Sequence, residues 1–276
     1  MVNEHVEGRF AGAAGGQIYW QGWVPGEVAG VVLLVHGIAE HGGRYAHVGK
    51  RLAAEGYAVY TLDHRGHGKS DGTRGNVHRM STVVTDLETM IRSAAGRHPD
   101  VPMFLYGHSM GGLIALAYLT GKPVGLSGAI LASPAVESSA GSRAMRAAAG
   151  VMSAVAPNLG AVELDISTLS RDPEVVRAYD ADPLNYRGKV RARTGAEMLV
   201  TMQRVVGSLD RVTIPVLVMH GSADGLTNPE GSRRVAAGVT GDVTLKIYDG
   251  YYHELHNEPD QETVFADVVR WLKEHT

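Results

Sequence analysis

Met103-Phe104-Leu105-Tyr106-Gly107-His108-Ser109-Met110-Gly111-Gly112-Leu113 decides how the rest of the chain is read. A short apolar run closes on Gly-His-Ser-Met-Gly, and Leu113-Ile114-Ala115-Leu116-Ala117-Tyr118-Leu119 follows at once with a helix-like pattern. G-x-S-x-G between strand and helix is the tight turn that lifts a serine hydroxyl above a sheet edge. Gly107 and Gly111 leave room for strand and helix to approach, while Ser109 carries the strained backbone. The helix behind it aims free N–H groups and a positive dipole end at the point where an oxyanion would form. In a chain with 35 Gly the pattern could arise by chance. The flanking strand and helix argue against that.

Outward from this turn, strands and helices alternate. Residues 8–24 read as an antiparallel pair turning at Gly15-Gly16, with Gln17-Ile18-Tyr19-Trp20-Gln21-Gly22-Trp23 alternating like a half-exposed strand. The runs 31–35, 58–62 and 128–132 are continuously apolar, as strands buried on both faces are. The first ends in His36-Gly37-Ile38-Ala39-Glu40-His41, which opens a helix through about Glu55; the second ends in Asp63-His64-Arg65-Gly66-His67-Gly68-Lys69-Ser70. A helix is expected from Ser81, as N-cap, to about Arg97. Strand character returns at 214–219 and 243–248, and a last helix covers Gln261 to Glu274. The fold class is therefore α/β, a mostly parallel sheet covered on both faces, with functional residues at the carboxyl ends of its strands.

One stretch breaks the pattern. Residues 134–210 are rich in alanine, methionine and small residues, with turns at Asp172-Pro173 and Asp182-Pro183, and are expected to contain helices and no strand. They read as a helical cap inserted into a single domain, 1–276, and lying over the strand ends. The weakly charged run 144–156, with Met145 and Met152 seven apart, suits either a membrane-surface contact that admits an acyl chain or plain packing on the core.

Composition excludes several classes. A net charge of −3 gives no basic footprint for nucleic acid. With no cysteine there are no disulfides, thiol nucleophiles or thiolate metal sites. The polar N-terminus does not read as a secretory signal, and no apolar run approaches the roughly 20 residues of a membrane span, so the expected location is the cytoplasm. Thirteen histidines raise the question of a metal, with His36/His41 and His64/His67 as candidates, but no H-E-x-x-H motif accompanies them. No metal and no phosphate-binding loop is expected.

A serine hydroxyl needs a positioned base, usually a histidine oriented by a carboxylate. After a serine on such a turn, acid and then histidine follow in loops after later strands. Asp224 follows the strand 214–219, and His253 follows 243–248. His220 precedes the acid, Asp249 sits too near its strand end, and Asp210 falls before a strand begins. Ser109, Asp224 and His253 are thus the candidate triad. The oxyanion donors are expected to be the backbone N–H groups of Met110 and of Ile38.

The chain resembles the monoacylglycerol lipase group of the α/β-hydrolase superfamily. The match rests on His36-Gly37-Ile38-Ala39-Glu40-His41 with Arg44-Tyr45, Asp63-His64-Arg65-Gly66-His67-Gly68-Lys69-Ser70, Gly107-His108-Ser109-Met110-Gly111-Gly112, Gly221-Ser222-Ala223-Asp224 and Tyr252-His253-Glu254-Leu255-His256-Asn257-Glu258. Ser170-Arg171-Asp172-Pro173 in the cap agrees with it. Ala39 departs from the glycine usual in that group. The resemblance implies an α/β-hydrolase fold and cofactor-free hydrolysis of a single-chain lipid ester, with Glu40, Arg44 and His256 holding the glycerol hydroxyls. From spacing alone, Glu40 and Arg44 could equally be an exposed i, i+4 ion pair. A lysophospholipase or general carboxylesterase would use the same triad, and a non-catalytic binding protein could keep the fold. Oligomeric state is not readable.

Overall fold

The computed structural model describes residues 4–121, 123, 125–136 and 143–276, with 143–146 as backbone only. Among the described residues ten strands run β1 (Glu4–Ala11), β2 (Gln17–Val24), β3 (Gly30–Val35), β4 (Tyr57–Leu62), β5 (Met103–His108), β6 (Gly128–Ala132), β7 (Gly160–Val162), β8 (Val190–Arg191), β9 (Val216–Gly221) and β10 (Val243–Tyr248). Eight of them form one sheet in the order β1-β2-β4-β3-β5-β6-β9-β10. β1 and β2 are antiparallel to their neighbours, and every pair from β4 to β10 is parallel. This is the α/β-hydrolase fold.

The helices are α1 (Ala46–Ala54), α2 (Met80–Arg97), α3 (Met110–Leu119), α4 (Arg143–Val155), α5 (Pro173–Ala181), α6 (Ala192–Val206), α7 (Pro229–Gly238) and α8 (Gln261–Glu274). β3, β4, β5, β6 and β9 are buried at every residue. Apolar clusters fill both faces of the sheet, one reaching α2, α3 and α6, the other α1 and α8. That is why these strands read as apolar runs rather than alternating ones. α3 is buried along its whole length, packed between the sheet and α2 and α6.

Two expectations need correcting. The segment between β6 and β9 is not purely helical, because β7 and β8 pair antiparallel, Gly160 opposite Arg191 and Val162 opposite Val190. Nor is Ser81 the cap of α2. The helix begins at Met80 after Arg79, whose side chain makes no cap. The Met80 N–H is taken instead by the Glu197 carboxylate from α6, at 2.9 Å, so a tertiary partner replaces the local cap.

Candidate active site

β5 ends at His108, and Ser109 stands between it and α3 with φ 54° and ψ −120°. A serine held in this sparsely populated region needs its surroundings to over-determine it. Its N–H donates to Ala132 at 3.1 Å, and its carbonyl accepts from Leu113 and Ala135. The glycines beside it are sterically required. A Cβ on Gly107 would lie 2.6 Å from the Gly111 carbonyl, and one on Gly111 would lie 1.9 Å from that of Val35. Met110 is the first residue of α3, so its N–H has no acceptor inside the helix.

Asp224 and His253 meet as the sequence order suggests, with His253 Nδ1 2.7 Å from Asp224 Oδ2. The Asp224 side chain is fully enclosed. Its Oδ1 accepts the N–H groups of Leu226 and Thr227 at 2.8 and 2.9 Å, and its Oδ2 also accepts the Thr227 hydroxyl at 2.8 Å. His220 Nε2 stands 3.0 Å from the same oxygen. Burial alone would raise this carboxyl, but hydrogen bonds from His220 and His253 hold it far below the usual carboxylate range, so it is ionised. The His253 carbonyl accepts from the Ser133 hydroxyl at 2.8 Å, which anchors the histidine loop to the end of β6.

Ser109 and His253 line one cavity of about 150 Å³ together with Gly37, Ile38 and Glu40. His108 also lines it, its ring 4.7 Å from that of His253, and burial pushes its imidazole down to about 3, so it is neutral. Apolar residues complete the wall, among them Leu164, Met198 and Met202. These three and Ile38 also border a second, wholly apolar groove of about 380 Å³ between α4, α6, β7 and β8. The cavity beside Ser109 and the apolar groove thus share four wall residues.

The loop after β3 is held from several sides. The Gly37 N–H donates to Glu40 Oε1 at 2.6 Å, which leaves the next one, on Ile38, as the loop's candidate donor. Ala39 sits at φ 64°, the left-handed conformation that glycine adopts without strain. The Tyr179 hydroxyl and the Tyr186 N–H, both from the segment between β6 and β9, donate to its carbonyl at 2.9 Å each. Beneath the loop lie His36, His64 and His67, fully buried; burial and their mutual repulsion push His64 down to about 3, and burial puts His67 at about 4.

Glu40, Arg44 and His256 do not share one environment. Glu40 reaches the cavity wall, but Arg44 and His256 stand behind it. Glu40 and Arg44 are no exposed pair either; they are 3% and 9% exposed at the side chain, at 2.5 Å from each other. Arg44 is drawn inward by Glu254, which grips it with both oxygens at 2.6 and 2.8 Å. His256 is fully buried against the Tyr45 ring, 4.6 Å away. Arg44 and His256 are not among the residues that line the cavity. Burial alone would raise Glu254, yet the Arg44 charge and hydrogen bonds hold it well below the usual carboxylate range. Burial raises Glu40 instead. The sequence reading overlooked Glu254 and His220 as partners; the only signal was that each stands next to or near a triad residue.

Residues 26–260 match the family described as serine aminopeptidase, S33. A monoacylglycerol lipase of Mycolicibacterium smegmatis is 43% identical, over 98% of this chain and 97% of its own. A monoglyceride lipase of Homo sapiens is 35% identical, over 96% of this chain and 89% of its own. Among solved structures, a monoacylglycerol lipase of Paleococcus ferrophilus superposes with a TM-score of 0.83 at 31% identity, covering both chains completely.

Proposed function

The chain belongs to the monoacylglycerol lipase family of α/β-hydrolases, and we propose that it cleaves monoacylglycerols to glycerol and fatty acid through Ser109, His253 and Asp224. The supporting observation is that His253, hydrogen-bonded to Asp224, lines one cavity with a serine at positive φ, beside an apolar groove that shares four of the cavity's wall residues. His253 takes the Ser109 proton as Oγ attacks the ester carbonyl, while Asp224 orients the imidazole and balances its charge. The N–H groups of Ile38 and Met110 hold the oxyanion. As the intermediate collapses, His253 gives its proton to the departing glycerol oxygen. Water, deprotonated by His253, then attacks the acyl-serine and the fatty acid leaves. Every proton is accounted for by side chains and water, so no cofactor takes part.

The acyl chain lies in the apolar groove, with its ester beside Ser109. The glycerol end faces Glu40 and Glu254, two polar residues of the cavity wall. Residues 134–210 act as a cap within a single 1–276 domain. Of the seven large apolar residues exposed among the described residues, six, Val151, Met152, Val155, Leu159, Val162 and Val200, lie on this segment, the other being Leu245 on β10. They make it the face that meets a lipid surface, on a cytoplasmic protein that docks transiently. The Met145 side chain is outside the described residues. No described helix is long and apolar enough to cross a membrane.

The test compares 1-monooleoylglycerol with lysophosphatidylcholine and with di- and trioleoylglycerol, for the wild type and Ser109→Ala. Release from the monoester, abolished by the substitution, is expected. Equal or faster release from lysophosphatidylcholine would transfer the assignment to a lysophospholipase, and hydrolysis of simple short-chain esters alone would transfer it to a carboxylesterase. No turnover of any ester would favour a non-catalytic binding protein.

A further inference from the structure

Two loops must keep their separation for the proposed reaction: the loop after β3, which carries Gly37 and Ile38, and the loop after β10, which carries His253. Glu40 on the first and Glu254 on the second converge on one guanidinium. Arg44 donates through one terminal nitrogen to Glu40 Oε2 at 2.5 Å and to Glu254 Oε1 at 2.6 Å. Its other terminal nitrogen donates to Glu254 Oε2 at 2.8 Å. We propose that Arg44 is a positioning residue that fixes the oxyanion loop and the base-bearing loop against each other by holding Glu40 and Glu254 at once.

Each end of the bridge is tied to backbone close to the chemistry. Glu40 Oε1 accepts the Gly37 N–H at 2.6 Å and the Tyr45 hydroxyl at 2.7 Å, so the position of Glu40 sets the His36–Gly37 peptide, the one preceding the peptide that carries the Ile38 N–H. Gly37 has no slack: a Cβ there would lie 2.7 Å from Glu40 Oε1 and 3.2 Å from Ser109 Cβ. At the other end Glu254 is covalently next to His253, its N–H donates to the Leu169 carbonyl at 2.8 Å, and Asn257 Nδ2 donates to its Oε2 at 2.8 Å. The Tyr179 ring covers the guanidinium at 4.8 Å. A planar fork can satisfy two carboxylates in fixed directions, which an ammonium cannot do. Low exposure on all three side chains keeps water from substituting for either contact.

The inference rests on the serine mechanism proposed above, but not on the identity of the alcohol. A head-group contact and a positioning role differ in what they do to an ester that has no glycerol. Arg44→Lys and Arg44→Met are assayed on 1-monooleoylglycerol and on p-nitrophenyl butyrate. The expected result is a fall in kcat of about tenfold to hundredfold on both esters, with KM on p-nitrophenyl butyrate within about twofold of wild type. Arg44→Lys should retain more activity than Arg44→Met, because an ammonium can still hold one carboxylate. If kcat on p-nitrophenyl butyrate stays within about twofold of wild type while KM for monooleoylglycerol rises, Arg44 binds the head group and the inference is overturned. Should Arg44→Met fail to fold, Arg44→Lys decides alone by the same criterion. Were the wild type to cleave p-nitrophenyl butyrate but not monooleoylglycerol, the substrate reading would fall and the first ester would still test the bridge.

Discussion

At Asp224 both oxygens are engaged: two backbone N–H groups hold one, and a threonine hydroxyl and two imidazoles surround the other. An amide in its place would keep the size but turn a donor toward His253 and stabilise the wrong tautomer. Asp224→Asn is expected to lower kcat on 1-monooleoylglycerol by about 10³–10⁴ with little change in KM. Steady-state kinetics on folded protein checks this, and a loss below tenfold would remove Asp224 from the triad. The pairing of Asp224 with His253 was legible because both follow strands in a fixed order. The grip of Glu254 on Arg44 was not, since the two stand 210 residues apart and neither matches a motif for pairing. Spacing left Glu40–Arg44 open between an exposed pair and a binding pair. Only the fold shows that Glu254 makes it a buried three-member set.

Among the elements, the contact of α3 with the sheet is the most constrained. Helix and strand approach so closely at Gly111 that a methyl group would collide with the Val35 and His36 carbonyls, which are backbone and cannot swing aside. Gly111→Ala is expected to destabilise by about 3 kcal/mol or more. Thermal unfolding would read this as a large drop in Tm or as insoluble protein, whereas an unchanged Tm would contradict the packing. The parallel strands were readable because burial on both faces leaves unbroken apolar runs. β7 and β8 were not: they span three and two residues, too short for any periodicity, and their partners lie about thirty residues apart in sequence. The start of α2 was hidden for a similar reason, its first N–H being satisfied by Glu197 rather than by a neighbour in sequence.

Over the whole molecule, acid sensitivity follows from histidines buried neutral. Burial lowers His64 and His108 to about 3 and His67 to about 4, against 6.5 in the unfolded chain, and holds His36 and His256 well below that value. Below about pH 6.5 the unfolded chain binds protons that the native state refuses, so stability falls as pH falls, by up to about 1.4 kcal/mol per pH unit for each such site. The loss continues down to about pH 3–4. The depressed carboxyls of Asp224 and Glu254 add their own loss only below the ordinary carboxylate range, at the acid end of this window. Tm is expected to be clearly lower at about pH 5 than at about pH 7.5, and a flat profile would contradict the neutral cluster.

The apolar face of the inserted segment gives a prediction at the same scale. Val151→Asp with Val155→Asp should weaken binding to phosphatidylcholine vesicles and slow turnover of dispersed monooleoylglycerol, while leaving p-nitrophenyl butyrate hydrolysis unchanged. Equal vesicle binding by variant and wild type would remove the lipid-surface role.

All of this depends on Ser109 being an activated nucleophile, and reaction with a fluorophosphonate followed by peptide mapping tests that most directly. The account predicts one adduct, on Ser109, absent in Ser109→Ala and formed far more slowly in His253→Ala. Folded wild-type protein that takes no label, or takes it on another residue, would contradict it.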